Sequence, residues 1–245
     1  MGNKKLGIIG GTSLLQSKFF AGMRKQEQDT EYGKVVVHVS ESGDLVFLQR
    51  HHADAAAGAV YRPPHLINHQ ANMQALKDLQ VDAVIAVCCV GSVTPEVTIG
   101  MIVIPDDFFN LFGGPVSMFD DGRAHIVPGM DDSLRQIMLQ VLRKNEFNPV
   151  RDGGVYMQTS GPRFETPVES RFLALVGAHV VGMTAASEAT LSKELDIPYA
   201  MICMVDNYAN GIAREPLTRE KFQANVAANQ KTVERAVELL IAEFQ

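Results

Sequence analysis

The stretch that decides the fold runs from Leu66 to Val90 and reads LINHQANMQALKDLQVDAVIAVCCV. Its first half, Leu66 to Leu79, repeats aliphatic and small residues along one face, which predicts a helix. Its second half, Val84 to Val90, is an unbroken apolar run rich in β-branched residues, which is typical of a strand buried on both faces. A helix followed directly by such a strand indicates a sheet covered by helices.

The same two patterns recur on both sides of this stretch. Further strands are predicted at Leu6 to Ile9, Val35 to Val39, Leu45 to Leu48, Ile102 to Ile104, Val180 to Met183 and Met201 to Val205. Further helices are predicted at Leu134 to Leu142, Glu188 to Leu195 and Glu220 to Phe244, the last with Thr218 as its N-cap. This alternation indicates an α/β layered fold with a parallel or mixed central sheet, in which ligands bind beyond the carboxyl ends of strands.

Composition narrows the class of protein. The 245 residues, 46% hydrophobic and 20% charged, indicate one soluble globular domain over residues 1–245. No apolar run reaches the ~18 residues of a membrane helix, and the first run is broken by Gly10-Gly11, unlike a secretory signal. The net charge of -6 gives no general attraction to nucleic acid or anionic lipid. We therefore expect a cytoplasmic protein with neither a nucleic-acid nor a membrane partner.

Cysteine and histidine usage argues against metal or disulfide chemistry. Cys88, Cys89 and Cys203 lie in apolar runs and are interpreted as small buried hydrophobes. The seven histidines show no metal-ligand spacing with carboxylates. Two segments, His52 to Ala59 and Pro105 to Pro128, are predicted as loops, the second as a lid or an intersubunit contact.

Small polar clusters follow several predicted strands. Gly10-Gly11-Thr12-Ser13 offers backbone N–H groups and hydroxyls suited to an oxyanion, although it lacks the spacing of a dinucleotide or P-loop motif. Arg50-His51 offers a guanidinium for bidentate phosphate contact. Asp206-Asn207 offers an amide for the mixed edge of a heterocycle, and Met183-Thr184 a thioether and a hydroxyl. Each cluster alone fits an ordinary strand end, but together they indicate one composite pocket.

A further segment, Ser160-Gly161-Pro162-Arg163-Phe164-Glu165-Thr166, sets an aromatic face beside a carboxylate in a turn. That pair suits a flat ring that also forms hydrogen bonds.

In combination these motifs resemble the trimeric purine nucleoside phosphorylase and methylthioadenosine phosphorylase family, from about Leu6 to the C-terminal helix. The landmarks are Gly10-Gly11-Thr12-Ser13, Arg50-His51, Pro63-Pro64-His65-Leu66-Ile67-Asn68, Gly161-Pro162-Arg163-Phe164-Glu165-Thr166, and Val181-Gly182-Met183-Thr184 followed by Glu188. The resemblance implies a three-layer fold with a central mixed sheet and a reversible phosphorolysis. In that reaction inorganic phosphate displaces the purine from a nucleoside, so no metal or organic cofactor is expected.

The resemblance also implies residue roles. Phosphate would be held by Thr12, Arg50, His51, the backbone at Cys89 and the Thr184 hydroxyl. The nucleoside would be held by Phe164 on the purine, Val90 and Gly91 on its other side, Met183 under the ribose, and His65. Asn207, His51 and Glu165 would be the catalytic residues.

Base preference follows from two of these side chains. Asn207 can serve the seven-position nitrogen and six-position oxygen of a 6-oxopurine, and Glu165 can accept from its one-position N–H. Family members that prefer 6-aminopurines typically have Asp where Asn207 lies. The expected substrates are therefore inosine and guanosine.

Several alternatives stay open at the level of sequence. No histidine matches the one that binds the 5′-hydroxyl in many 6-oxopurine enzymes, so a methylthioinosine or methylthioadenosine phosphorylase is the alternative within the family. The chain also departs from the family at His52, Cys88 and Ser187, where Gly, Thr or Asn, and Pro are common. A nucleoside hydrolase and a noncatalytic nucleoside-binding protein are the rivals outside it.

The family is usually a homotrimer in which neighbouring subunits complete each other's sites. The resemblance implies the same assembly here, with His65 and the Phe108 to Phe119 loop at the shared edge.

Overall fold

The computed structural model describes residues 4–15, 17–18, 20–52, 61–110, 112 and 114–244. Residues 53–59 of the first predicted loop therefore lie outside the described residues. In the described part of the chain no helix is long and apolar enough to cross a membrane.

Eleven strands of the described chain form one mixed sheet. They are β1 (Leu6–Gly10), β2 (Arg24–Thr30), β3 (Gly33–Val39), β4 (Leu45–Gln49), β5 (Ala83–Ser92), β6 (Ile102–Ile104), β7 (Asp107–Phe109), β8 (Val150–Asp152), β9 (Val155–Gln158), β10 (Ala178–Gly182) and β11 (Tyr199–Tyr208). Their order is β2-β3-β4-β1-β5-β10-β9-β7, and β11 pairs with β5 and continues to β6 and β8. β1 is parallel to β4 and β5, whereas β10 is antiparallel to β5.

Helices cover both faces of this sheet. They are α1 (His69–Asp78), α2 (Asp132–Lys144), α3 (Pro167–Leu175), α4 (Ala185–Glu194) and α5 (Arg219–Phe244). Apolar side chains of α1 and α4 share one core cluster, and those of α2 and α5 share the other. The predicted α/β fold with a central mixed sheet and flanking helices is confirmed.

The unbroken apolar run of β5 follows from this layering. Val84, Ala86, Cys88 and Val90 lie in the core under α1 and α4, and Ala83, Ile85 and Val87 lie in the core under α2 and α5. Side chains of a strand point alternately to opposite faces, so a strand covered on both sides needs apolar residues at every position.

The sequence patterns located most elements within a few residues of their observed ends. The helix predicted from Leu66 begins at His69, after a 3₁₀ turn at Pro64–Leu66. Thr218 caps α5 as predicted, since its Oγ1 accepts from the Lys221 N–H at 3.2 Å. The predicted loop from Pro105 to Pro128 contains β7 and a short 3₁₀ turn at Gly122–Ala124. Strands β2, β7, β8 and β9 and helix α3 were not predicted.

Candidate active site

The site begins at a gap in the pairing of the central strand. Along one edge of β5 the pairing with β1 ends at Ala86, and the pairing with β10 begins at Gly91. Among the described strands none pairs with that edge between these two residues, so its peptide groups face a cavity rather than a neighbouring strand. Unpaired backbone groups are strong hydrogen-bonding partners for a polar ligand.

Gly11 brings the turn after β1 against this gap. A Cβ at Gly11 would lie 2.6 Å from Arg50 Nη1 and 2.6 Å from the Val87 carbonyl oxygen. The turn therefore has no room for any other residue type. The Gly11 backbone, the Arg50 guanidinium and the Val87 carbonyl approach closely at this point, which explains the second glycine of Gly10-Gly11.

Arg50 lies behind the gap and is held by a buried carboxylate. Its Nε and Nη2 donate to the two oxygens of Glu188 at 2.6 and 2.9 Å, and Nη1 donates to the Val87 carbonyl at 2.7 Å. Both side chains of the pair are 1% exposed. Burial alone would lower the pKa of Arg50, but the Glu188 carboxylate raises it above the ordinary value, so the guanidinium stays charged.

The bidentate edge formed by Nε and Nη2 of Arg50 is occupied by Glu188, and Tyr199 Oη donates to the same carboxylate at 3.0 Å. Glu188 occupies this position because a guanidinium buried at a sheet edge requires a buried counter-charge. Nη2 also lies 3.9 Å from Cys88 Sγ, so Nη1, which among the described residues bonds only to the Val87 carbonyl, has one further hydrogen to donate. The phosphate contact expected of Arg50 stays a prediction.

His51 lies at the same edge as a neutral imidazole. Its Nδ1 is 3.0 Å from the Arg62 carbonyl oxygen, which can only accept, so Nδ1 carries the hydrogen and Nε2 is the acceptor. Burial, with the nearby Arg50 charge, lowers the pKa of His51 to about 4. The ring also stacks on Tyr61, with 5.0 Å between the centroids.

Thr184 enters the cavity from the start of α4. Tyr156 Oη accepts from the N–H groups of Thr184 and Ala185, each at 3.2 Å, which anchors the turn and leaves the Thr184 hydroxyl to the cavity. A little further on, Ser187 N–H donates to Gln158 Oε1 at 3.1 Å and Gln158 Nε2 donates to Ser187 Oγ at 2.7 Å. The proline that is common at this position in the family has no N–H for this bond. Ser187 therefore makes a hydrogen bond with Gln158 that a proline could not make.

Glu165 lies in the loop between β9 and α3. Two side chains that the sequence patterns did not indicate hold it there. Thr159 Oγ1 donates to Glu165 Oε1 at 2.8 Å, and Asn210 Nδ2 donates to the Glu165 carbonyl at 2.9 Å. Glu165 is buried, whereas Phe164 beside it is exposed and makes an edge-to-face contact with Phe222, with 5.6 Å between the centroids. The carboxylate keeps its second oxygen for a ligand donor.

Asn207 reaches the cavity through an irregularity in β11. That strand pairs residue for residue with β5 up to Val205 opposite Val90, and then Asn207 lies opposite Gly91. A Cβ on Gly91 would lie 2.9 Å from Asn207 Nδ2, so the glycine makes room for the amide. Nδ2 donates to the Tyr208 carbonyl at 3.0 Å, which fixes one of its two hydrogens.

These groups line one cavity of about 750 Å³, a volume in the usual range for a small-molecule site. The cavity lining includes the following predicted residues: Thr12, Arg50, His51, Cys89, Val90, Gly91, Phe164, Glu165, Met183, Thr184 and Asn207. Of the predicted set, His65 does not line it and is exposed in the 3₁₀ turn before α1. The composite pocket expected from the strand ends is therefore formed within one chain, while the role of each residue stays a prediction.

The cavity also has lining residues that sequence reasoning missed. They are Leu15, Tyr61, Arg219, Phe222 and Gln223, among others. The last three lie on the first turns of α5, where their spacing fits an ordinary amphipathic helix and carries no sign of a site. Across the described residues no group of three His, Cys, Asp or Glu side chains is close enough to hold a metal ion, and all three cysteines are free.

Comparison with known families identifies the class of protein to which this fold belongs. The chain belongs to the phosphorylase superfamily, whose sequence model matches residues 5–242.

Individual relatives narrow the comparison. A probable 6-oxopurine nucleoside phosphorylase of Archaeoglobus fulgidus is 39% identical over 238 residues, covering 95% of each chain. A probable S-methyl-5′-thioinosine phosphorylase of Methanothermobacter thermautotrophicus is 37% identical over 87% of this chain and 75% of its own. Among solved structures, a methylthioadenosine phosphorylase from Schistosoma mansoni in complex with adenine gives a TM-score of 0.84 at 23% identity, covering 98% of this chain and 91% of that one, which shows a shared fold.

Proposed function

We propose that this protein catalyses the reversible phosphorolysis of 6-oxopurine nucleosides, inosine and guanosine, to a free base and a pentose 1-phosphate. The observation that carries the proposal is the pair formed by Asn207 and Glu165 in one cavity. An amide donor and a carboxylate acceptor complement the six-position oxygen and the one-position N–H of a 6-oxopurine. The relative from A. fulgidus, named for that substrate class, supports the same assignment.

The proposed phosphate site is the gap along β5. Thr12, the Cys89 backbone, the Thr184 hydroxyl and the remaining Nη1 hydrogen of Arg50 supply donors there. His51 Nε2, as an acceptor, suits the hydroxyl of a monoprotonated phosphate. Holding the nucleophile in place reduces the entropic part of the barrier, and its negative charge stabilises a cationic sugar in the transition state.

The proposed step displaces the base. A phosphate oxygen forms a bond to the anomeric carbon while the bond from that carbon to the purine nitrogen breaks, and the electron pair leaves with the base. Asn207 donates to the departing purine, where negative charge develops, and Glu165 retains the one-position N–H. The pentosyl group passes between two nucleophiles without electron transfer, so we expect neither a metal nor an organic cofactor.

The experiment that tests the proposal measures base release from inosine, S-methyl-5′-thioinosine and adenosine, each with and without phosphate. Phosphate-dependent release from inosine is the expected result. Release without phosphate would indicate a hydrolase, and no release from any nucleoside would indicate a binding protein. Thr184→Ala should raise the KM for phosphate, whereas Thr232→Ala, on the exposed side of α5, is the matched control.

A second candidate, phosphorolysis of S-methyl-5′-thioinosine, has its own support. Phe222 adds an apolar ring to the cavity wall, which suits a methylthio group better than a hydroxyl. The relative from M. thermautotrophicus carries that name. A higher kcat/KM for S-methyl-5′-thioinosine than for inosine in the same assay would select this candidate.

We also infer a cytoplasmic homotrimer whose subunits complete each other's sites. Large apolar side chains line a second hollow beside Glu165 and are exposed: Phe112 at 49%, Val168 at 65% and Phe172 at 43%. Leu175 of α3 is exposed as well, at 83%. Phe112 belongs to the loop expected at a subunit edge. Light scattering after size exclusion should give about three times the chain mass of 26.8 kDa. A monomer at micromolar concentration would contradict the assembly.

A further inference from the structure

The irregularity in β11 has a single extra residue, Asp206. Pairing with β5 runs in step from Tyr199 opposite Val84 to Val205 opposite Val90, and resumes with Asn207 opposite Gly91. β11 therefore has one more residue than β5 at this point of the pairing, which is a β-bulge. The bulge turns Asn207 toward the cavity while Asp206 is fully buried away from it.

Two asparagines on one face of α5 donate hydrogen bonds to Asp206 at the bulge. Asn225 Nδ2 donates to the Asp206 carbonyl at 2.7 Å, and Asn229 Nδ2, one turn later, donates to Asp206 Oδ1 at 2.9 Å. Asn229 Nδ2 also lies 3.5 Å from the Val205 carbonyl. Both amides donate to Asp206 itself, once to its backbone and once to its side chain, so this pair is a specific attachment of α5 to the bulge.

The other neighbours of the Asp206 carboxyl are few. The Cys89 thiol of β5 interacts with it, and Ser13, from the turn after β1, contacts the same thiol. Burial raises the pKa of Asp206 to about 6, and burial, followed by the Asp206 charge, raises the pKa of Cys89. No cation is among the groups that shift the Asp206 pKa, so this carboxyl is held by the Asn229 amide and the Cys89 thiol rather than by an ion pair.

We infer that Asn225 and Asn229, acting through Asp206, are positioning residues that hold the bulge so that the Asn207 amide faces the base. This inference rests on the proposed function, because it assigns Asn207 to the base. A loosened bulge would let β11 slide by one residue, and a one-residue slip moves a side chain to the other face of the sheet. Asn207 would then leave the cavity.

The test is a double-mutant cycle read by equilibrium binding of hypoxanthine in the presence of phosphate. Asn229→Ala and Asn225→Ala are each made in the wild-type and in the Asn207→Ala background. If they act through Asn207, each weakens hypoxanthine binding about tenfold when Asn207 is present and less than about twofold when it is absent. Asp206→Asn retains an oxygen for Asn229 and should bind within about threefold of wild type.

Controls separate positioning from loss of folding. Thr232→Ala, exposed on the same helix, should leave binding unchanged in both backgrounds. The thermal midpoint of each variant shows whether it is folded at the assay temperature. If Asn229→Ala is unfolded there, the double-mutant cycle is measured with Asn225→Ala alone.

Each outcome decides the matter. Equal weakening in both backgrounds, or no weakening from either asparagine, overturns the inference. If wild type binds hypoxanthine but releases no base from any nucleoside, the proposed function is wrong. The double-mutant cycle then still decides whether the asparagines position Asn207. Absence of hypoxanthine binding to the wild type overturns the inference directly, since there is then no base for Asn207 to face.

Discussion

At position 207 the choice between an amide and a carboxyl decides which purine edge is satisfied. Asn207→Asp removes the donor for a six-position oxygen and supplies an acceptor for a six-position amino group. We expect kcat/KM for inosine to fall by about tenfold or more and the ratio for adenosine to rise, because a buried group without its partner is costly.

The assay compares both nucleosides in wild type and variant at saturating phosphate. Gln140→Glu, the same amide-to-carboxyl change on the exposed side of α2, should leave the ratio unchanged. If the ratio of the two specificity constants is the same before and after Asn207→Asp, the role given to Asn207 is wrong.

At position 206 the carboxyl makes stability depend on pH. Its pKa is raised by burial from 3.8 to about 6, so the folded protein holds a proton that the unfolded chain has lost. The free energy of unfolding therefore falls as pH rises from about 4 to 6 and levels off above that. The whole effect is about 3 kcal/mol.

Asp206→Asn should remove this fall and stabilise the protein above pH 6. Thermal midpoints of wild type and variant between pH 4 and 8 provide the measurement, and their difference cancels the titration of other groups. The exposed Asp120→Asn serves as the control. Parallel pH curves for wild type and Asp206→Asn would contradict the shifted pKa.

Among elements, the start of α4 depends on a hydroxyl from β9. Tyr156→Phe leaves the Thr184 and Ala185 N–H groups without their acceptor, at a cost of about 1–3 kcal/mol for each buried group left unpaired. We expect the Thr184 turn to shift and the KM for phosphate to rise several-fold, with a smaller change in the KM for inosine. Tyr32→Phe, whose hydroxyl bonds to Met118 away from the cavity, is the control. Equal changes in both KM values would mean that the hydroxyl supports folding only.

Helices and strands with a clear pattern of apolar residues could be predicted from the sequence, and those without such a pattern could not. β5 and β11 are buried on both faces and stand out as continuous apolar runs. β2 reads RKQEQDT and is a strand because it pairs with β3 at the sheet edge, a tertiary cause that leaves no local hydrophobic pattern. α3 begins with a capping box at Thr166 and Glu169, but its exposed apolar side chains hide the amphipathic pattern.

For the whole molecule, the ion pair between Arg50 and Glu188 joins the end of β4 to α4, with Tyr199 of β11 attached. Glu188→Gln leaves a buried guanidinium without its counter-charge, which should cost about 3 kcal/mol or more. In a chain of this length that corresponds to a fall of roughly 6–12 °C in Tm. Glu169→Gln breaks the exposed pair with Arg163 and should change Tm little. Similar Tm values for Glu188→Gln and wild type would show that the pair does not limit stability.

The site as a whole was predictable where its residues follow strands. Thr12, His51, Thr184 and Asn207 each lie within three residues of the end of an apolar run, and the carboxyl ends of such runs meet at one cavity. Tyr156 and Asn229 support the site from inside a strand and a helix, where nothing in the local sequence distinguishes them from structural residues. Their roles depend on which elements become neighbours, and that is decided only by the complete fold.

The gap along β5 also bears on how this sequence can change over time. A donor that belongs to the peptide group is common to every amino acid except proline. Position 89 lies where one edge of β5 has no partner among the described strands, so a change of its side chain would leave that peptide group in place. A protein that presents main-chain groups to a cavity in this way can alter the neighbouring core without losing those groups, and the departure at Cys88 is compatible with that freedom.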